Sequence, residues 1–126
     1  MNNYYQQKKG GWKLDPAIYA RTVSLIRCYR IYCQQADAGT AEKDPTHSHR
    51  TAVQDYVRII DQALADYVPE AYRAAVFSHV VDRTTYNELE ERYFISASTM
   101  KRYSQVFIWG VARGLGEIFP EDPQDD

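Results

Sequence analysis

The chain has 126 residues, 44% of them hydrophobic, with 15 basic and 17 acidic residues and a formal net charge of −2. That length supplies one core rather than two independent ones. No run approaches a membrane span and no apolar N-terminal stretch has signal-peptide character, so a single cytoplasmic unit is expected.

The charge is unevenly laid out. Up to Ala36 the basic residues Lys8, Lys9, Lys13, Arg21, Arg27 and Arg30 stand against Asp15 alone, whereas the middle of the chain and the tail (Glu121, Asp122, Asp125, Asp126) are acidic. Between Ala97 and Leu115 there are Lys101, Arg102 and Arg113 and no acid. Such a chain can present a basic face while remaining acidic overall.

Residues 1–14 are polar and glycine-containing and read as a flexible arm, in which Lys8-Lys9-Gly10-Gly11 could reach a phosphate backbone. Asp15-Pro16 is a cap and first-turn pair, predicting a helix to about Gln35. Its stripe is Ile18, Thr22, Leu25, Ile26, Tyr29 and Cys33, widened by Tyr19, Val23 and Tyr32. Burying such side chains contributes roughly 1.5 to 3 kcal/mol each, so the stripe must be covered. Cys28 and Cys33 point to different sides of this helix, and free thiols are expected.

Ala38-Gly39-Thr40 ends the helix, and a loop leads to Pro45. A second helix is predicted from Thr46 or Ser48 to Tyr67, with Val53, Tyr56, Val57, Ile60, Ala63 and Leu64 inward. Two long helices on a short polar connection predict an antiparallel hairpin over 15–68. Pro69 then serves as the first-turn residue of a third helix, Glu70 to about Val81, grouping Tyr72, Ala75, Val76, His79 and Val80. Asp82, Arg83 and Thr84 link that helix to the next one.

The stretch from Thr85 to Phe107 carries the functional signal. Leu89 is the inward residue of a short solvated helix, a turn falls near Tyr93, Phe94 and Ile95, and Ser96 is a good N-cap for a helix starting at Ala97. On that helix Met100, Tyr103, Phe107 and Val111 form an apolar face, while Ser98, Thr99, Lys101, Arg102 and Gln105 point elsewhere. The helix is expected to continue to the region of Ile118, with Gly110, Gly114 and Gly116 each costing about 1 kcal/mol relative to Ala and allowing another helix to approach. Tyr103, Phe107 and Trp109 fit core or interface better than a base-stacking platform. Pro120 and the acidic tail, 120–126, end the fold. No strand pattern or repeat is present, so the reading is all-α, with a hairpin at 15–68 and a helix-turn-helix region at 69–119 in one compact unit.

The small acidic helix, then Ile95-Ser96, then Ser98-Thr99-Met100-Lys101-Arg102, resembles the helix-turn-helix of region four of sigma factors. The segment from Pro69 to Phe119 is similar to the C-terminal half of phage-encoded regulators of the ArpU and RinA type, sigma-like activators of late genes. Two positions depart from the general pattern. Glu90 stands where a small residue lets the helices approach, and Phe94 where glycine supplies a left-handed turn. A bulky residue at positive φ is costly, so a longer or differently shaped turn is expected.

Competing chemistry is weaker. His47, His49 and the remote His79 lack the spacing of a zinc site, and solvated histidines explain the first two. Glu88, Glu90 and Glu91 come with no nucleophile and base pair and no phosphate-cradling loop, so neither an enzyme nor a cofactor is expected. The resemblance implies a DNA-binding transcription regulator that binds double-stranded DNA and RNA polymerase as a homodimer, with no small-molecule substrate. Its DNA contacts would come from Ser96, Ser98, Thr99, Lys101, Arg102 and Gln105, with Arg83 and Arg92 available to phosphates. Two alternatives share the pattern: a terminase small subunit-like packaging protein, and a protein-interaction module such as a polymerase-binding or inhibitory protein.

Overall fold

The computed structural model describes residues 14–40 and 47–117, and what it describes is helical throughout. The six helices are α1 Pro16–Arg27, α2 Tyr29–Thr40, α3 His47–Tyr67, α4 Glu70–Asp82, α5 Tyr86–Tyr93 and α6 Ala97–Gly114. The expected N-terminal arm up to Lys13, the loop before Pro45 and the acidic tail lie outside the described residues.

In place of one long helix from Pro16 to Gln35, the chain forms two. Asp15 caps α1 through its carboxylate, which accepts from the Ala17 N–H at 2.9 Å. At Cys28 the backbone tightens: its N–H bonds Leu25 O, three residues back, at 3.1 Å, and φ −89°, ψ 5° leave the α region. Neither glycine nor proline marks this break. Tertiary anchors hold it instead. Arg27 Nε donates to Val80 O at 3.3 Å, and Arg30 grips Asp82 with two bonds of 2.9 Å, so both guanidiniums sit at the C-terminal end of α4, where the helix dipole favours cations. Tyr29 donates to Asp61 on α3 at 2.7 Å and meets Phe77 edge-on. Consequently α2 packs along α3, while α1 packs mainly on α4 and α6. Thr22, Val23 and Ile26 are buried as expected of the stripe, but Tyr19 is 43% exposed. Cys28 and Cys33 are free and half-buried.

Pro69 is the N-cap of α4 rather than its first helical residue, with φ −58° and ψ 147°. From the first turn of α4, Arg73 reaches back to satisfy two carbonyls at the end of α3, donating to Val68 O and Ala65 O at 2.8 and 2.9 Å.

The main core draws on α1, α3, α4, α5 and α6, with α6 at its centre. Phe107 and Val111 are fully buried and Met100 nearly so; Trp109 and Ala112 pack in a smaller cluster against Leu14, Ile18 and Tyr67. Gly110 and Gly114 permit the close approach of α6 to α3. A Cβ on Gly110 would overlap the Tyr67 ring, with Cγ at 3.1 Å, and one on Gly114 would lie 2.8 Å from Ile59 Cγ2. The last helix stops earlier than expected. Leu115 caps it and Gly116 takes φ 85°, while Ile118 lies outside the described residues. No helix among the described residues is long and apolar enough to cross a membrane.

Candidate nucleic-acid interface

The link from α4 into α5 is held by side chains. His79 Nδ1 lies 2.7 Å from Thr84 O; a carbonyl only accepts, so Nδ1 carries the proton. The Ser78 and Thr84 hydroxyls share a 2.7 Å bond, and the His79 ring stacks on Tyr86 with centroids 4.3 Å apart. Arg83 ends α4 in the left-handed region at φ 63°.

Helix α5 opens on a capping box. Thr85 Oγ1 accepts from Glu88 N at 3.2 Å, and Glu88 Oε1 accepts from Thr85 N at 3.2 Å. The Thr-x-x-Glu spacing is a local sequence signal, and it gives Glu88 a structural task. Leu89 is fully buried. Glu90 is exposed, so its side chain does not stand between the helices.

The turn keeps a tight three-residue link, Phe94 to Ser96, rather than lengthening. Phe94 itself adopts the left-handed conformation, φ 59° and ψ 42°, and its N–H bonds Glu90 O at 2.8 Å. It does so with its side chain 89% exposed, where the ring meets little to clash with. Ile95 then turns inward, and Ser96 caps α6 by accepting from Thr99 N at 3.2 Å while its hydroxyl donates to Thr99 Oγ1 at 3.1 Å. Of the residues singled out for DNA, Ser96 is therefore occupied by the cap, and Thr99 is half-buried.

Ser98, Lys101, Arg102 and Gln105 are exposed and share one face of α6 at three- and four-residue spacing. Arg102 leans over the Tyr103 ring, 5.6 Å from its centroid, and Tyr103 stacks on Tyr72 at 5.1 Å. Arg83 and Arg92 are exposed, and no bond ties them to this face.

Arg21, Arg30 and Arg58 pair with carboxylates, Arg73 caps α3, and Arg113 donates to Tyr67 Oη at 2.7 Å. Arg27, Arg83, Arg92, Lys101 and Arg102 have no carboxylate partner among the described residues.

Beside the face lies a cleft of about 310 Å³ between α1, α4, α5 and α6. Its polar lining is Tyr19, Arg27, His79, Tyr86, Lys101, Ser104 and Gln105 over an apolar floor of Val23, Val80 and Ile108. Ser104 is 5% exposed, and its Oγ has no hydrogen-bond partner. Leaving such a group unpaired costs about 1 to 3 kcal/mol. Burial, reinforced by Tyr19, pushes the Tyr86 phenol up, so it stays a protonated donor. Of this lining, sequence reasoning names only Lys101 and Gln105 as functional. Ser104 leaves a signal, a hydroxyl four residues after Met100 on an otherwise apolar flank, while Arg27 leaves none, because only the fold brings α1 to α6. Among the described residues no three His, Cys, Asp or Glu side chains cluster as a metal site; the His47 and His49 side chains lie outside them.

Compared with known proteins, the chain matches no family profile, and no curated protein or solved structure is significantly similar to it.

Proposed function

We propose that α5 and α6 act as a helix-turn-helix and that the protein is a sequence-specific DNA-binding transcription regulator of phage type, an activator of late genes working in the cytoplasm of a bacterial host. The observation that carries this reading is the exposed face of α6, where Lys101 and Arg102 have no acidic partner among the described residues and stand beside Ser98 and Gln105, directly after a tight turn. Paired cations would be neutralised before meeting a phosphate; these are not. Arginine and glutamine on one helix face have the donors that match guanine and adenine edges in a major groove, and serine and lysine add phosphate contacts. The mechanism is recruitment. Base contacts fix the protein at a promoter as a homodimer, and a second surface holds RNA polymerase.

The test is selection of bound duplexes from a random-sequence library. A recurring two-fold motif, lost with Lys101→Ala/Arg102→Ala, supports the reading; recovery of no motif contradicts it.

One observation favours a second reading, an interaction module in which these helices dock a protein. Phe94 exposes its ring beside the acidic Glu90 and Glu91, a surface unsuited to DNA.

A further inference from the structure

We propose that the cleft between α1, α4, α5 and α6 is a binding site for a sugar phosphate, with Arg27 of α1 and Lys101 of α6 as the two cations that hold the phosphate. Four observations converge on it. The lining contains both cations and no acidic side chain, and neither cation has a carboxylate partner among the described residues. Arg27 is held through Nε by the Val80 carbonyl, which leaves its terminal nitrogens available as donors. Ser104 lies in the lining, and its Oγ is enclosed with no partner, so a rotation about χ1 that brings the hydroxyl to an oxyanion breaks no existing bond. Tyr19, Tyr86 and Gln105 add neutral donors around the same space.

Size narrows the ligand. A volume of about 310 Å³ is at the small end of ligand sites and exceeds what inorganic phosphate needs, leaving room over Val23, Val80 and Ile108 for the sugar that carries it. That unit has two sources, the backbone of a nucleic acid or a free sugar phosphate. The first rests on the DNA-binding reading of α6; the second does not.

The experiment runs both arms on the full chain. In the first, ¹⁵N-labelled protein is titrated with ribose 5-phosphate, with ribose at matched ionic strength as control. Saturable shifts at the Ser104 amide and Arg27 Nε–H are expected, absent with ribose and lost in Ser104→Ala. In the second, duplex affinity is measured against salt for the wild type, Arg27→Gln and Arg27→Lys. Loss of one phosphate contact lowers the slope of log K against log salt by about 0.9, and the lysine variant restores it, which separates charge from folding. Shifts with ribose 5-phosphate but an unchanged duplex slope assign the cleft to a free sugar phosphate; a lowered slope assigns it to the backbone. No saturable shift together with an Arg27→Gln slope equal to the wild type's overturns the cleft while leaving DNA binding intact. If the wild type binds no duplex at any salt, the DNA-binding reading fails, and the ribose 5-phosphate arm alone decides the cleft.

Discussion

Replacing Phe94 by glycine should stabilise the protein. An L-residue in the left-handed region costs about 1 to 2 kcal/mol, because Cβ crowds the following carbonyl. Phe94 bears that cost at φ 59°, and at 89% exposure its ring recovers little by burial. Glycine removes the clash but surrenders about 0.5 to 1 kcal/mol of backbone entropy, so the net expected gain is about 0.5 to 1 kcal/mol. For a domain of this size that is a rise in Tm of a few degrees. Urea unfolding followed by circular dichroism should show a higher midpoint with an unchanged m-value. Phe94→Ala, which keeps Cβ, should leave stability near that of the wild type, and Phe94→Asn, whose side chain tolerates this region, should fall between. A glycine variant less stable than the wild type by more than about 1 kcal/mol, or an alanine variant as stable as the glycine one, would refute the idea that positive φ sets the cost.

Other perturbations act through the packing. Gly110→Ala gains about 1 kcal/mol of helix propensity but drives Cβ into Tyr67, an overpacking of about 1 to 3 kcal/mol; net destabilisation in thermal melts, relieved in a Tyr67→Ala background, is expected. Leu89→Ala empties a fully buried site and should cost about 2 to 5 kcal/mol in urea unfolding. Acid should weaken the tie between α2 and α4. The Arg30 guanidinium holds the Asp82 carboxyl below its ordinary range, so the contribution is present above the unfolded-state pKa of about 3.9 and is lost as pH falls through the lowered folded value. Asp82 is more than a third exposed and Arg30 more so, and solvent screening keeps the contribution of the pair small. Stability of Arg30→Gln should therefore fall slightly short of the wild type's at pH 7 and match it once the pH lies below the lowered folded value of Asp82.

Much of the helical pattern is legible because caps and breakers are local. Asp15-Pro16, Pro69 and Ser96 mark the starts of α1, α4 and α6 to within a residue, and apolar spacing finds Ile26, Ile60, Val76 and Phe107. Three features are not legible. The break at Cys28 depends on Arg27 and Arg30 reaching α4, a contact across some fifty positions of sequence. The bulk of Phe94 predicts a longer or differently shaped turn, yet the link stays tight with Phe94 itself left-handed, because tertiary packing of Leu89, Ile95 and Met100 outweighs the preference of a single residue. The cleft joins α1 to α6, and no periodicity within one helix can announce a site built by two.

The measurement closest to the central claim is fluorescence anisotropy with labelled duplexes at low and moderate salt, comparing the wild type with Lys101→Ala/Arg102→Ala and checking helical content by circular dichroism. The wild type should bind with an affinity that falls steeply as salt rises, and the double variant should keep its helicity while losing about 0.9 of salt slope for the Lys101 phosphate contact, together with the base preference that Arg102 carries. Absence of duplex binding by the wild type even at low salt, or binding that the double variant retains with the same slope, would contradict the assignment of the α6 face to DNA.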